Sequence, residues 1–203
     1  MEERLDGRVE KGRVTRDALL VAARELFGSQ GYDATSIEAI LEAAGVARGA
    51  LYHHFLNKAE LFDAVLDRET AALADAVAKA ARAAAPDPLD SLRAGCDAFL
   101  RLALDPAVQR IVLLDPPAIV GWQRWREIDR EHTLGGLQAA VRLLADAGRA
   151  DHAQVDMLAH MLLAAVAEAA MFVATAEEPE KALRSARDAV DTLLTRLFVK
   201  SRR

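Results

Sequence analysis

The stretch AGVARGALYHHF, Ala44 to Phe55, places Arg48, Gly49, Tyr52, His53 and His54 within seven consecutive residues. Adjacent histidines raise two chemistries, metal ligation and acid–base work. Helical geometry argues against chelation, because neighbours on a helix point about 100° apart whereas helical chelators stand at i, i+4. No cysteine or carboxylate stands at the other usual ligand spacings, so no metal and no cofactor are expected. A third chemistry fits better. Arginine, tyrosine and histidine donate hydrogen bonds to phosphates and base edges, and a glycine lets the backbone approach closely. An ordinary solvated face would have the same composition, so the flanking elements must decide.

Those elements are helical. Leu19, Leu20, Ala23, Leu26 and Phe27 recur at helical spacing and predict a first helix over Thr15 to Ser29, ended by Gly28 and Gly31. Thr35, with Glu38 three places on, reads as a capping box opening a second helix lined by Ile37, Ile40, Leu41 and Ala44. Gly45 ends it in the left-handed conformation, with Val46 anchoring the turn. A third short helix runs over Ala47–His54, with Leu51 and Phe55 facing inward. Two short helices joined in this way form a helix-turn-helix, whose second helix enters the major groove of DNA. With Leu51 inward, Gly49 and His53 point away from the core and Tyr52 lies on the flank. Asn57 and Glu60 cap a fourth helix running to about Ala84, with Leu56 and Leu61 placed for a hydrophobic staple. Lys58 in its first turn is unfavourable on dipole grounds, a misfit that an anion docking there would relieve.

Residues Thr15–Phe62, from TRDALLVAARELF through GYDATS, AGV and GALYHHF to NKAELF, resemble the DNA-binding domain of the TetR family of bacterial transcription regulators. The resemblance implies that Thr35 and Ser36 contact phosphate at the start of the second helix. It also implies that Arg48, Gly49, Tyr52, His53 and His54 act from the recognition helix and that Lys58 grips the DNA backbone. Two positions depart from the family pattern. Ala47 stands where serine or threonine is usual, which removes a cap and a phosphate donor, and Leu41 stands where alanine is frequent.

Beyond the break at APDP the pattern stays helical: Leu89–Leu104, a piece from about Pro106 to Leu114, and a helix opened by Asp115 as cap with Pro116 behind it. That helix is expected to bend at Gly135-Gly136 and to end at Gly148. Two amphipathic segments, about Asp151–Thr175 and Pro179–Val199, close the chain as antiparallel neighbours. The first carries an apolar run, Met157–Ala174. His160 and Glu168 within it make it a packing helix rather than a membrane span. The fold expected is all-α: a three-helix helix-turn-helix domain over residues 12–72, with the motif at about 35–54, and a larger domain of about nine helices over 73–203.

The larger domain resembles the regulatory half of the family. Each of the last two helices has an apolar stripe wide enough for a core and a partner, so a homodimer through them on a palindromic double-stranded DNA operator is expected rather than a monomer core, and the resemblance implies release by a small apolar or aromatic effector. Phe99, Trp122, Trp125, Met157, His160, Met161 and Phe172 are the residues that could line its pocket; as a set they describe core equally well, and for any single one core packing is the better reading. A regulator without an effector, or an activator, remains the alternative. Asp115, His132, His152 and His160 are what an enzyme in this scaffold would use, but no nucleophile motif or phosphate loop surrounds them, and none is expected.

Charge and cysteine content agree with this. The net charge is −5, so DNA contact must come from placed cations rather than a basic field. The most basic run is Arg4, Arg8, Lys11, Arg13 and Arg16, against Asp6 and Glu10. Cys96 is the only cysteine, so an intrachain disulfide is impossible, and it reads as core filling in a reducing compartment. The opening MEERLDGRVEKGR has no apolar stretch, so a cytoplasmic, nucleoid-associated protein is expected.

Overall fold

The computed structural model describes residues 2–84 and 86–199, with side chains from Glu10 onward. The side chains of Arg4 and Arg8, and Ala85 in the expected break, lie outside the described residues. Among those residues there is helix and turn but no strand. Helix α1 (Glu2–Gln30) begins well before Thr15. No proline interrupts this stretch, and Arg13 supports the added turns through pairs with Glu10 at 2.6 Å and Asp17 at 3.8 Å.

Helices α2 (Ile37–Ala44) and α3 (Arg48–His54) follow. Gly45 takes the expected left-handed conformation, φ 65°, and the Val46 N–H returns to the Leu41 carbonyl at 3.2 Å, closing α2. The cap of α2 differs from expectation. Ser36 holds it, its Oγ accepting the Ala39 N–H at 3.1 Å. Thr35 is buried, and its hydroxyl donates to the Gly31 carbonyl at 2.7 Å. Glu38 therefore stands one place too early for a capping box and pairs with Arg48 at 3.0 Å. Ala47, extended before α3, offers no capping side chain.

Asn57 caps α4 (Lys58–Ala83), its Oδ1 accepting the Glu60 N–H at 2.9 Å, while the Glu60 carboxylate accepts the Leu56 N–H at 2.6 Å. The expected staple does not form. Leu61 is buried, but Leu56, its backbone held by Glu60, leaves its side chain 79% exposed.

Asp87 caps α5 (Pro88–Leu102) and also receives two bonds from Arg149, at 2.8 and 2.6 Å. These donors bring its carboxyl down to about 2 from an ordinary 3.8. A depressed acid stabilises the fold above its ordinary value, and this tie is lost as pH falls through about 2. α6 (Pro106–Val108) passes straight into a π turn, Gln109–Leu114. Asp115 therefore does not cap. It arrives already helical, φ −79° and ψ −31°, and leads into α7 (Pro116–Ile119). The break comes at Gly121, φ 84°, before α8 (Trp122–Asp129). The irregularity expected at Gly135-Gly136 falls just earlier, as a second π turn at Arg130–Leu134 where the Thr133 hydroxyl donates to the Asp129 carbonyl. α9 (Gly135–Asp146), α10 (Val155–Ala174) and α11 (Pro179–Phe198) complete the chain.

α1, α2, α3 and the start of α4 enclose Leu19, Ala23, Phe27, Ile40, Leu51 and Phe62, all fully buried. α4 then runs on to pack along α5, which meets α9, α10 and α11. Cys96 lies in this second core, where burial pushes its thiol up to about 12 and leaves it unreactive. α10 is long and apolar enough to cross a membrane by length and composition, yet one face packs inward through Leu162, Val166, Ala170 and Val173. The opposite face, including Met161 and Phe172, is open.

The two parts of the molecule meet closely at Gly28. A Cβ there would lie 2.7 Å from the Ala107 Cβ on α6. Gly28→Ala gains about 1 kcal/mol of helix propensity but forces an overlap costing about 1–3 kcal/mol. The expected outcome in urea unfolding is a net loss, partly recovered by adding Ala107→Gly. An unchanged or raised midpoint would mean that α6 is free to move off α1.

Candidate nucleic-acid interface

The helix-turn-helix is positioned from behind by three aromatic rings. Phe27, Tyr32 and Phe62 pack with centroids 5.2 to 5.7 Å apart, joining the end of α1, the following turn and α4. Lys58 closes the arrangement. Its Nζ donates to the Tyr32 carbonyl at 2.9 Å and the Thr35 carbonyl at 3.0 Å, and stands 4.0 Å from the Tyr32 ring centre. The cation that looked misplaced at a helix start is thus held by two carbonyl oxygens and an aromatic face. In this structure its ammonium, like the Thr35 hydroxyl, is engaged inside the domain rather than presented outward.

Arg48, Gly49, Tyr52 and His53 are all exposed on α3, Gly49 and His53 opposite buried Leu51 and Arg48 and Tyr52 on the flanks. Nothing lies within 4 Å of where a Gly49 Cβ would be, so the backbone there is open to close approach. Arg48 pairs with Glu38 and lies over the Tyr52 ring at 5.9 Å. Hydrogen bonding to Tyr52, then the Glu38 charge, holds it firmly cationic. The Arg48–Glu38 pair is solvated and worth little, so a stronger anion can displace Glu38. The two histidine rings meet edge to face at 5.2 Å. His54 is half buried, and burial first, then His53 and Arg16, lowers its pKa, which favours the neutral ring. Among the described residues no cluster of three or more His, Cys, Asp or Glu is placed to hold a metal.

Sequence reasoning missed the internal roles of Lys58 and Thr35. The tyrosine at position 32, a ring in an otherwise polar turn, was the available signal. It also missed Gly12 and Arg16, which lie against His54 and Phe55.

The residues expected to line a pocket do not come together. Trp125 is buried, its indole N–H donating to the Val112 carbonyl at 3.0 Å inside the first π turn, and Phe99 is half buried in the same core. Trp122 meets Trp125 edge to face at 5.0 Å but is 65% exposed. Met157, Met161 and Phe172 are 66%, 60% and 58% exposed on the outer face of α10. His160 shares that face, its Nδ1 2.8 Å from the Asp156 carbonyl. The separation follows from spacing: these α10 residues lie roughly opposite Leu162, Val166 and Val173, which face the core. Two open grooves of about 450 and 470 Å³ lie elsewhere, one between α5 and α11 and the other beside the Asp87–Arg149 pair.

Two family profiles match the chain: "Bacterial regulatory proteins, tetR family" over residues 19–65 and "Tetracyclin repressor-like, C-terminal domain" over 89–197. A solved TetR-family transcriptional regulator from Pectobacterium atrosepticum superposes with a TM-score of 0.84 at 33% identity, covering 95% of this chain and 98% of its own. The transcriptional activator FasR of Mycolicibacterium smegmatis is 42% identical over 84 residues, 41% of this chain and 38% of its own length. The transcriptional repressor BepR of Brucella suis is 34% identical over 98 residues, 48% and 47% of the two lengths. The match thus spans less than half of either curated relative.

The Lys58 contacts predict a stability effect that appears without DNA. Lys58→Met leaves two inward carbonyls without their charged donor and is expected to cost about 2 kcal/mol in chemical unfolding. His53→Ala, on the open face, is expected to stay within about 0.5 kcal/mol of wild type. Equal stability of the Lys58 variant and wild type would contradict the clamp.

Proposed function

Because this chain belongs to the TetR family and is a DNA-binding transcription regulator rather than an enzyme, we propose that it acts as a homodimeric repressor, released from a palindromic operator by a small apolar or aromatic effector. The observation that carries the DNA half is the outer face of α3. Arg48, Tyr52 and His53 stand exposed there around an open Gly49, with His54 at the edge. In the major groove, Arg48 reaches a phosphate or the acceptors of a guanine, and Tyr52 and His53 donate to phosphates or base edges. Ser36 contributes a phosphate contact through its hydroxyl hydrogen, since its oxygen is already used in capping α2. Thr35 and Lys58 act by holding α2 and α3 in register, and the α4 start reaches the DNA backbone through its free N–H groups.

Dimerisation is supported by the outer faces of the last two helices. Met157, Met161 and Phe172 on α10 and Leu193 and Leu197 on α11 leave an apolar surface open to a second copy. Two copies would present two recognition helices to major grooves one turn or more apart. Repression needs only occupancy of the DNA, whereas activation needs a further surface for the transcription machinery. Acting on the chromosome places the protein in the cytoplasm, at the nucleoid.

Effector control is supported by the interior around Trp125, whose indole is held by the first π turn and whose helix runs into the second. α4 is tied to that region by Asp63, which receives two bonds from Arg124 at 2.9 and 3.1 Å, and by Asp67, 2.9 Å from His132. On its other side α4 is tied to α1 through Glu69 and Arg24 at 2.9 Å. An effector that separates Trp125 from its neighbours would tilt α4 and spread the recognition helices.

A gel-shift titration with the DNA upstream of the chain's own gene tests the reading. Wild type is expected to bind in a salt-sensitive way as a dimer. Arg48→Ala and Tyr52→Ala are each expected to weaken binding by about 1–3 kcal/mol with melting unchanged. Met161→Glu with Phe172→Glu is expected to give a folded monomer with little operator affinity. Wild-type binding by both α3 variants, or a dimer that survives both glutamates, would overturn the corresponding half.

A further inference from the structure

The basic residues at the start of α1, before Gly12, take no part in the site described above, and the register of the whole basic run sorts it. With Gly12 set at zero and about 100° per residue, Arg4, Arg8, Lys11 and Arg16 fall between about −100° and +40°. Glu2, Glu3, Asp6, Glu10 and Asp17 fall between about 80° and 180°. The backbone is helical throughout, so the sequence register separates basic positions from acidic ones around the helix. Arg13 is the one basic residue of this run on the acidic side, and it is tied there to Glu10 and Asp17. Lys11 is exposed, and the residues three and four places from it (Gly7, Arg8, Val14 and Thr15) include no acid.

Two contacts orient the helix. A Cβ on Gly12 would lie 3.8 Å from the His54 ring, and the Arg16 guanidinium stands 5.4 Å from the centre of the Phe55 ring. The basic face is therefore turned toward the C-terminal end of α3. From Gly12 back to Glu2 the helix extends about 15 Å beyond that contact, at about 1.5 Å per residue. In a chain of net charge −5, this is where positive charge gathers beside the recognition helix.

We propose that the basic face of the N-terminal half of α1 is a second DNA contact, which brings Lys11, with Arg4 and Arg8 in register, to phosphates flanking the bases that α3 reads. The contact is sequence-independent. It strengthens binding to any duplex and lengthens the protected segment without altering which bases are preferred. It rests on the reading that α3 faces DNA.

The test uses the full chain carrying Arg4→Ala, Arg8→Ala and Lys11→Ala together, with Arg13→Ala as control. Fluorescence anisotropy follows binding to the upstream DNA and to a mixed-sequence duplex over a series of salt concentrations. Each lost phosphate contact lowers the slope of log affinity against log salt by about 0.9. The triple variant is expected to lose about 2–3 in slope and at least about tenfold in affinity at low salt, alike on both duplexes. Arg13→Ala is expected to match wild type, and the melting temperature of each to stay put. A triple variant with the wild-type slope overturns this inference alone. A wild type that binds neither duplex overturns the reading of α3 as well. Loss of binding to anionic vesicles, with DNA affinity intact, would assign the face to lipid and overturn the proposal.

Discussion

Lys58 stands where a cation is unfavourable, in the first turn of α4, and the geometry of the helix-turn-helix depends on its staying there. Its ammonium bridges the carbonyls of Tyr32 and Thr35 and rests on the Tyr32 ring. Those carbonyls belong to the turn that feeds α2. The start of α4 is thereby fixed to the start of the helix-turn-helix, and the Phe27–Tyr32–Phe62 cluster fills the space beneath. Ser36 caps α2, Gly45 turns the chain, and Leu51 seats α3 in the core. Helix α3 is short and lacks a side-chain cap at Ala47, so its orientation comes from this packing rather than from its own propensity.

The same helix carries the connection to the larger domain. α4 continues without interruption to Ala83. Along the way Asp63 and Asp67 engage Arg124 and His132, and Glu69 engages Arg24. A rotation of α4 therefore cannot occur without moving the turn before α2. The close approach of Gly28 to Ala107 adds a second point where the two parts share a boundary. On the proposed reading, an effector acts by changing which of these contacts can coexist.

How much the sequence disclosed depended on the range of the interaction. The left-handed Gly45, the inward Leu51 and Phe55, and the cap at Asn57 are local decisions, and spacing alone found them. The misplaced cap at Thr35 shows the limit. Serine and threonine side by side compete for one role, and the winner is set by the Gly31 carbonyl, which recruits the Thr35 hydroxyl inward. Leu56 fails as a staple because Glu60 holds its backbone, and Asp115 fails as a cap because a π turn delivers it already coiled. The π turns have no periodicity signal of their own. In α10 the apolar residues go nearly all the way round, so the pattern did not separate the face that meets α5 and α11 from the face carrying Met161 and Phe172. Distinguishing core from an unpartnered surface there required the packed structure.

The central claim is that the outer face of α3 enters the major groove, twice, in a symmetric arrangement. Dimethyl sulfate footprinting of the protein on the DNA upstream of its gene tests this most directly, because it reads guanine N7 in the major groove and adenine N3 in the minor groove. The account predicts two protected guanine N7 clusters related by a two-fold axis, on major-groove segments one helical turn or more apart. A single unsymmetric cluster, or protection confined to adenine N3, would contradict it.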